Sequence, residues 1–209
     1  MMARMILAAG TLGTLLSSSA FAQDAGISTT ASAPKMSVQA QVEVLPVGSA
    51  SHSEGGMTMS ADAAVAYGIT GAFDYAVMPY LSVGVAPRLV LNVNGKGDTA
   101  SDKSSQQIDL RARLLAHFPV AKDVEVYASV MPGYTIVTSP TDGFSNATGF
   151  AIGGAAGVTF NVSPKLFVNG EIGYQRAFTS FDAKIANQTF NEDTDVSYMH
   201  VGLGAGTRF

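Results

Sequence analysis

The sequence contains no cysteine in 209 residues. This absence excludes a disulfide framework, a lipid-modified cysteine after an export signal, cysteine metal ligands and thiolate nucleophiles. Charged residues are also scarce at 13%, whereas 47% of the residues are hydrophobic. The stability of the fold must therefore come from hydrogen-bonded secondary structure and from the surroundings of the chain.

Long hydrophobic runs are missing beyond the N-terminus. No stretch of about 18 to 20 apolar residues follows it, so a helical membrane protein is not expected. The N-terminus has the pattern of an export signal, because Arg4 precedes the apolar run 5–16 and small residues follow. We predict a signal peptide over residues 1–22, cleaved between Ala22 and Gln23.

Positive charge is in short supply as well. The chain has 12 Lys and Arg against 16 Asp and Glu, and loss of Arg4 with the signal leaves 11 against 16, a net charge of −5. This balance does not support a nucleic-acid-binding surface.

The sequence is rich instead in strict alternation, which is clearest in the segment QIDLRARLLAHF, residues 107–118. Apolar side chains at 108, 110, 112, 114, 116 and 118 oppose polar or charged ones at 107, 109, 111, 113 and 117. Period-two alternation predicts a β-strand with one apolar and one polar face. A soluble sheet turns its charged face to water, whereas a membrane barrel encloses that face in a lumen.

The same alternation recurs after a small, polar and flexible lead-in over residues 23–35. We count eight strands in residues 36–209 and assign them to one domain. Short turns on one rim and longer polar connections on the other are the layout of a transmembrane barrel. The sequence therefore predicts an all-β fold, a closed, antiparallel, eight-stranded, up-and-down transmembrane β-barrel. The short turns lie at 78–80, 121–123 and 163–165.

The extents of the individual strands and connections are also predicted. Residues 57–75 and 81–93 are each expected to form one continuous strand, although Pro87 cannot donate a ladder hydrogen bond. Residues 46–56 and 179–195 are expected to be polar connections. In this assignment Ala63 and Val93 face outward.

Outward-facing aromatic residues predict two belts around an apolar band about 25 Å tall. A soluble periplasmic barrel that binds an apolar ligand, the alternative architecture, needs no such belts. The predicted belt residues are Phe73, Tyr75, Phe118, Phe160 and Phe209 near the short-turn rim, and Tyr134, Phe150, Tyr174 and Phe178 near the long-loop rim.

Six charged side chains are predicted to meet inside the barrel as a charge network. An interior of eight strands is only wide enough for its own side chains. Three arginines facing three carboxylates would make a neutral set, which an enclosed lumen favours because an unpaired charge is costly there. The network is expected to fill the interior and to hold the strands around it together. Conduction would require its ion pairs to rearrange. The residues are Glu43, Arg88, Asp109, Arg111, Arg113 and Glu171.

No residue pattern predicts catalysis, a cofactor or a metal site. The histidines cannot converge, because His117 lies near the short-turn rim while His52 and His200 lie towards the other rim. Residues 51–54 contain the types needed for nucleophilic catalysis but no positioned triad. The acidic residues within 182–195 lack the spacing of a calcium loop. We therefore expect a protein that is not an enzyme.

The last predicted strand, YMHVGLGAGTRF, ends on Phe209 with apolar residues at every second position upstream. It resembles the C-terminal signature of bacterial outer-membrane β-barrels, although Thr207 stands where that family often has an aromatic. The chain from Met36 resembles the small eight-stranded OmpA/OmpX-type barrels. The resemblance implies a Gram-negative outer membrane, contact with its lipid and lipopolysaccharide, and Phe209 as a signal read by the barrel-assembly machinery.

These features favour an integral outer-membrane barrel, expected to be a monomer, with a structural or surface-interaction role. The alternatives are a narrow gated pore for small solutes or apolar molecules, and a soluble periplasmic ligand-binding barrel.

Overall fold

The computed structural model describes residues 35–54, 57–94, 104–138, 145–185 and 188–209. The predicted signal peptide, its cleavage position at Ala22 and Gln23, and the lead-in up to residue 34 lie outside the described residues. Within the described part of the chain, no helix is long and apolar enough to cross a membrane.

The described residues form ten β-strands in one antiparallel sheet. They are β1 (Met36–Glu54), β2 (Met57–Asp62), β3 (Ala66–Met78), β4 (Leu81–Val85), β5 (Arg88–Val93), β6 (Ser105–Ala121), β7 (Val124–Val137), β8 (Ala147–Asn161), β9 (Leu166–Ile185) and β10 (Gln188–Arg208).

The sheet closes on itself as a ring. Each strand from β6 to β10 pairs with the next, β10 pairs with β1, and β1 pairs with β3. The pairs β2 with β3 and β4 with β5 each act as one strand of the ring, since each pair is a single course of the chain with a short interruption. The predicted closed, eight-stranded, up-and-down antiparallel barrel is confirmed.

The alternation in β6 sends its charged side chains inward. Asp109, Arg111 and Arg113 are at most 4% exposed, whereas Leu110 is 60% exposed and Leu114 is 46% exposed. Because successive side chains of a strand point to opposite faces, this one segment fixes which face of the ring is the interior.

Two strands that were predicted to be continuous are interrupted. The course 81–93 breaks at residues 86–87, because Pro87 has no N–H, although its carbonyl still accepts a hydrogen bond from the Gly71 N–H at 3.0 Å. The course 57–75 breaks at residues 63–65, where the Ala64 N–H bonds to the Asn94 carbonyl at 2.8 Å instead of joining the ladder.

The outward assignments of Ala63 and Val93 were wrong, since both are buried inside the ring. The register shifts between Leu91 and Val93, and Asn92 between them has a φ of 63°. A bulge of this kind adds one residue to a strand and reverses the direction of the next side chain.

Two predicted polar connections are largely strand. β1 continues to Glu54, and β9 and β10 leave only residues 186–187 between them. As a result Lys184, expected in a loop, lies in β9. The apolar alternation ends above the membrane band because both faces of an extended hairpin meet water there. A strand in that region can have a polar sequence that resembles a loop.

The aromatic residues assigned to the two belts are all exposed on the outside of the ring. They are Phe73, Tyr75, Phe118, Tyr134, Phe150, Phe160, Tyr174, Phe178 and Phe209. Aromatic side chains at both edges of an apolar band are typical of barrels that span a membrane.

Candidate functional site

Arg88 lies at the centre of the polar side chains inside the ring. Its Nε donates to Asp109 Oδ2 at 2.8 Å and its Nη1 donates to Glu43 Oε2 at 3.3 Å. All three side chains are almost fully buried. Asp109 also accepts hydrogen bonds from the neutral side chains of Gln107, Thr135 and Gln175 at 2.8, 2.5 and 3.1 Å. These bonds offset the cost of burying the carboxylate.

Arg111 is held by neutral acceptors. Its guanidinium donates to the Ala86 carbonyl at 3.1 Å, to Thr70 Oγ1 at 3.1 Å and to Gln175 Oε1 at 3.3 Å. Among the described carboxylates, none forms an ion pair with it. Thr70 in turn donates to Glu43, so Arg111 joins the network through hydroxyl and amide groups.

Arg113 and Glu171 belong to a second part of the network. Arg113 Nη1 donates to Asp74 Oδ2 at 3.0 Å, and its guanidinium lies 5.9 Å from the Tyr127 ring centre. Glu171 accepts from the Tyr127 hydroxyl at 2.8 Å and lies 3.3 Å from His200 Nε2. Gly173 leaves room for His200, because a Cβ there would come within 2.3 Å of the imidazole.

The structure places all six residues of the predicted charge network inside the ring and buries them. It joins Glu43, Arg88 and Asp109 directly, while Arg113 pairs with Asp74 and Glu171 with Tyr127 and His200. The expected neutral set of three and three was therefore incomplete, because Asp74 adds a fourth buried carboxylate. Its position between the outward Phe73 and Tyr75 was the signal that could have revealed it.

A cluster of buried apolar side chains, the apolar plug, lies next to the polar network. In β5, Val90 and Val93 follow Arg88 towards the long-loop rim, so the plug lies on the loop side of the ion pairs. The interior is thus layered, with charge on one side and hydrocarbon on the other. The plug consists of Leu45, Ala63, Ala66, Val90, Val93, Val196 and Tyr198.

A third group of side chains lies at the short-turn mouth of the barrel. Arg208 on β10 makes a bidentate ion pair with Glu125 on β7, with N–O distances of 2.8 and 2.9 Å. Two strands of the ring separate β10 from β7. His117 lies beside this pair, with its Nδ1 3.8 Å from Glu125 Oε2 and its Nε2 3.3 Å from Ser82 Oγ.

Phe209 takes part in the pairing of β1 with β10, the seam that closes the ring. The Phe209 N–H donates to the Met36 carbonyl at 3.0 Å, and the Met36 N–H donates to the Phe209 carbonyl at 3.1 Å. The Phe209 side chain is exposed on the outer face. In the described residues, no three His, Asp or Glu side chains are grouped so that they could hold a metal ion.

A closed ring with an apolar outside and charges inside is the arrangement of a barrel that spans a lipid bilayer. The family model for the outer membrane protein beta-barrel domain matches residues 9–209. The chain belongs to this family. It is an outer-membrane protein of the kind found in Gram-negative bacteria, and the soluble periplasmic barrel is no longer an alternative.

Solved structures of outer-membrane barrels share the fold of this family member. OprG from Pseudomonas aeruginosa is 16% identical, with a TM-score of 0.59 over 85% of this chain and 96% of that chain. Neisserial surface protein A is 17% identical, with a TM-score of 0.53 over 83% and 97%. AlkL, solved in lipid bilayers, is 17% identical, with a TM-score of 0.52 over 86% and 93%. No curated protein sequence is similar enough to count as a relative.

Replacement of Arg88 by Met should strongly destabilise the barrel, because Glu43 and Asp109 would lose their cation in a buried site. Removal of one partner from a buried pair costs about 3–5 kcal/mol. Arg176→Met is the matched control, since Arg176 and Asp195 form an exposed pair at 2.6 Å, and exposed ion pairs contribute little to stability. Urea unfolding in lipid vesicles measures both changes. Equal, small losses for the two variants would contradict the central role of Arg88.

Proposed function

We propose that this outer-membrane barrel has a structural or surface-interaction role. Its interior would be a filled support, that is, a lumen packed with side chains that hold the wall of the barrel together. The observation that carries the proposal is the network around Arg88, in which buried ion pairs and hydrogen bonds connect β1, β5, β6, β7 and β9 across the lumen. In an interior as narrow as that of eight strands, such side chains occupy the cross-section.

The surface for interactions would be the part of the barrel beyond the apolar plug. There β1 and β10 stay paired as far as Ser53 and Asp193, and β9 and β10 stay paired as far as Ile185 and Gln188. Backbone pairing gives this extension a defined shape, which is what a binding surface requires. Exposed Asp182 and Asp193 lie on it, while Asp195 is already paired with Arg176, so a partner with positive charge would be favoured over one with negative charge.

A narrow gated path is the second candidate, and the apolar plug favours it for apolar molecules. An ion that entered from the loop side would meet hydrocarbon side chains around Tyr198 and Val90 before it reached the charged layer. An apolar molecule would meet no such barrier in the plug. Passage would still require Arg88 and its partners to rearrange.

We also propose that the barrel is not an enzyme, although Ser82, His117 and Glu125 are arranged in the order of a serine hydrolase triad. The 3.8 Å between His117 Nδ1 and Glu125 Oε2 is longer than a hydrogen bond. The same oxygen accepts a hydrogen bond from Arg208 Nη2 at 2.9 Å, so its negative charge is already paired with the Arg208 guanidinium. A glutamate in that state is a poor orienting group for histidine.

Four proposals concern partners. The exposed apolar outer face would contact outer-membrane lipid and lipopolysaccharide, and the barrel-assembly machinery would read Phe209 during insertion. The barrel would work as a monomer, because its own strands close the ring and satisfy one another's backbone hydrogen bonds. It would bind no nucleic acid, because its net charge is negative.

Conductance in planar bilayers separates the filled support from the pore. We expect no reproducible ion-selective steps from the wild type, because the charged layer and the plug lie in series. Tyr198→Ala removes the largest side chain of the plug but leaves the charged layer, so we expect this variant not to conduct either. Tyr134→Ala on the outer face is its matched control and should also not conduct. Reproducible steps from the wild type would overturn the filled-support proposal in favour of the pore.

A fluorophosphonate probe tests the proposal that the triad-like group is inactive. We expect no labelling of the folded barrel, because His117 lacks a free carboxylate to orient it. A serine hydrolase in the same detergent verifies the probe, and Ser82→Ala is the control variant. Labelling of the wild type that disappears in Ser82→Ala would show an activated serine and contradict the proposal.

A further inference from the structure

Four inward side chains form a connected group at the short-turn mouth of the barrel, which we call the mouth strap. Arg208 Nη1 and Nη2 donate to the two carboxylate oxygens of Glu125 at 2.8 and 2.9 Å. Arg208 Nη1 also donates to Asn161 Oδ1 at 2.9 Å, and Asn161 Nδ2 donates to Glu125 Oε1 at 3.0 Å. The Phe167 ring completes the group, since its centre lies 5.0 Å from the Arg208 guanidinium.

The strap crosses the mouth because its members come from four successive strands of the ring. Arg208 lies on β10, Phe167 on β9, Asn161 on β8 and Glu125 on β7. The Arg208 side chain therefore reaches past two strands to its carboxylate. Gly206 on β10 leaves room for the Phe167 ring, because a Cβ there would come within 2.4 Å of it.

Side-chain exposure falls at the strap. The Arg208 and Glu125 side chains are 25% and 16% exposed, so water reaches the strap itself. Thr159 is the next inward residue of β8 above Asn161, and it is already buried. The residues behind the strap that are at most 7% exposed include Gln39, Thr159 and Asn169. The boundary between water and the interior thus coincides with the strap.

The strap can release without any change in the wall. Its hydrogen bonds all join side chains, whereas the backbone ladders of β7 to β10 run independently of them. A bidentate bond between arginine and a carboxylate fixes the geometry well. A partly exposed ion pair is nevertheless weaker than a buried one and is screened by salt. The strap is therefore strong enough to define a closed mouth and weak enough to open.

We propose that the mouth strap is a releasable closure of the lumen, which opens when Arg208 separates from Glu125. In barrels of this family the short turns face the periplasm, so the strap closes the lumen on that side while the apolar plug closes it towards the loops. The side chains behind the strap are polar, so an open strap admits water and small polar solutes as far as the charged layer.

The closure goes beyond the two functions proposed above and depends on neither of them. It controls entry into the mouth, whereas the filled support and the gated path differ in whether anything passes the network around Arg88. A barrel that never conducts can still have a mouth that opens. The test is therefore a measurement of access and not of conductance.

Thiol labelling measures access directly, because the chain has no cysteine of its own. Thr159→Cys places a reporter behind the strap, and Val162→Cys places a control reporter at an exposed position just beyond β8. Each protein is treated in detergent micelles with iodoacetamide, which is small, polar and uncharged. Mass spectrometry gives the rate of labelling, and heat-modifiable migration on gels verifies that each variant is folded.

The Thr159→Cys reporter should react slowly in the otherwise unchanged barrel. It should react about tenfold faster when Arg208→Gln or Glu125→Gln is added, because either change removes the charge-assisted hydrogen bonds that hold the strap. Arg176→Gln is the matched control, since it removes an exposed arginine from the outer face, and it should leave the rate unchanged. None of these changes should alter the rate at the Val162→Cys reporter.

The double variant of Arg208→Gln and Glu125→Gln separates a strap from a general loosening of the barrel. If the two residues act through one closure, the double variant should label no faster than the faster single variant. Acceleration that multiplies in the double variant would show two independent effects and would overturn the proposal. Unchanged labelling in folded Arg208→Gln and Glu125→Gln barrels would overturn it as well.

Discussion

In a lipid bilayer no water is available to a free backbone N–H or carbonyl, and this constraint shapes the whole barrel. A sheet can meet it only when its first and last strands pair, as β1 and β10 do here up to the mutual hydrogen bonds of Met36 and Phe209. Closure then creates an interior that is cut off from bulk solvent. Every charge that the alternation sends inward must find its partner there, which explains the dense bonding around Arg88.

The same constraint explains how the ring tolerates its irregular residues. Pro87 has no N–H to leave unpaired, and its carbonyl remains bonded to Gly71. Asn92 adopts a positive φ, and its side chain donates to the Val65 carbonyl at 2.8 Å where the regular ladder is lost. These adjustments turn Val93 and Ala63 inward, and they help to build the apolar plug above the ion pairs. The layered interior is thus a consequence of local breaks in a wall that stays closed.

The sequence was sufficient to predict the ring and its polarity, because a period of two is a direct property of strands. It also gave the inward direction of Arg88, Asp109 and Arg113, since direction depends only on parity. The partners could not be predicted in this way. Arg111 finds Gln175 and Thr70 across the lumen, and His200 finds Glu171, through distances that depend on the stagger between strands. The extension of β9 and β10 through residues 179–195 was missed because strands that meet water on both faces lose the apolar signal.

The central claim is that the apolar face of each strand looks into lipid and the other face into the enclosed interior. A nitroxide scan of β7 tests it most directly, because the chain lacks cysteine and the inward Ser129 and Met131 carry no charge. Single cysteines at residues 126–131 are labelled in bilayers, and their collision rates with oxygen and with a nickel chelate are compared. High oxygen accessibility at 126, 128 and 130 and low accessibility at 127, 129 and 131 is the predicted result. The reverse order, or rates without a period of two, would contradict it.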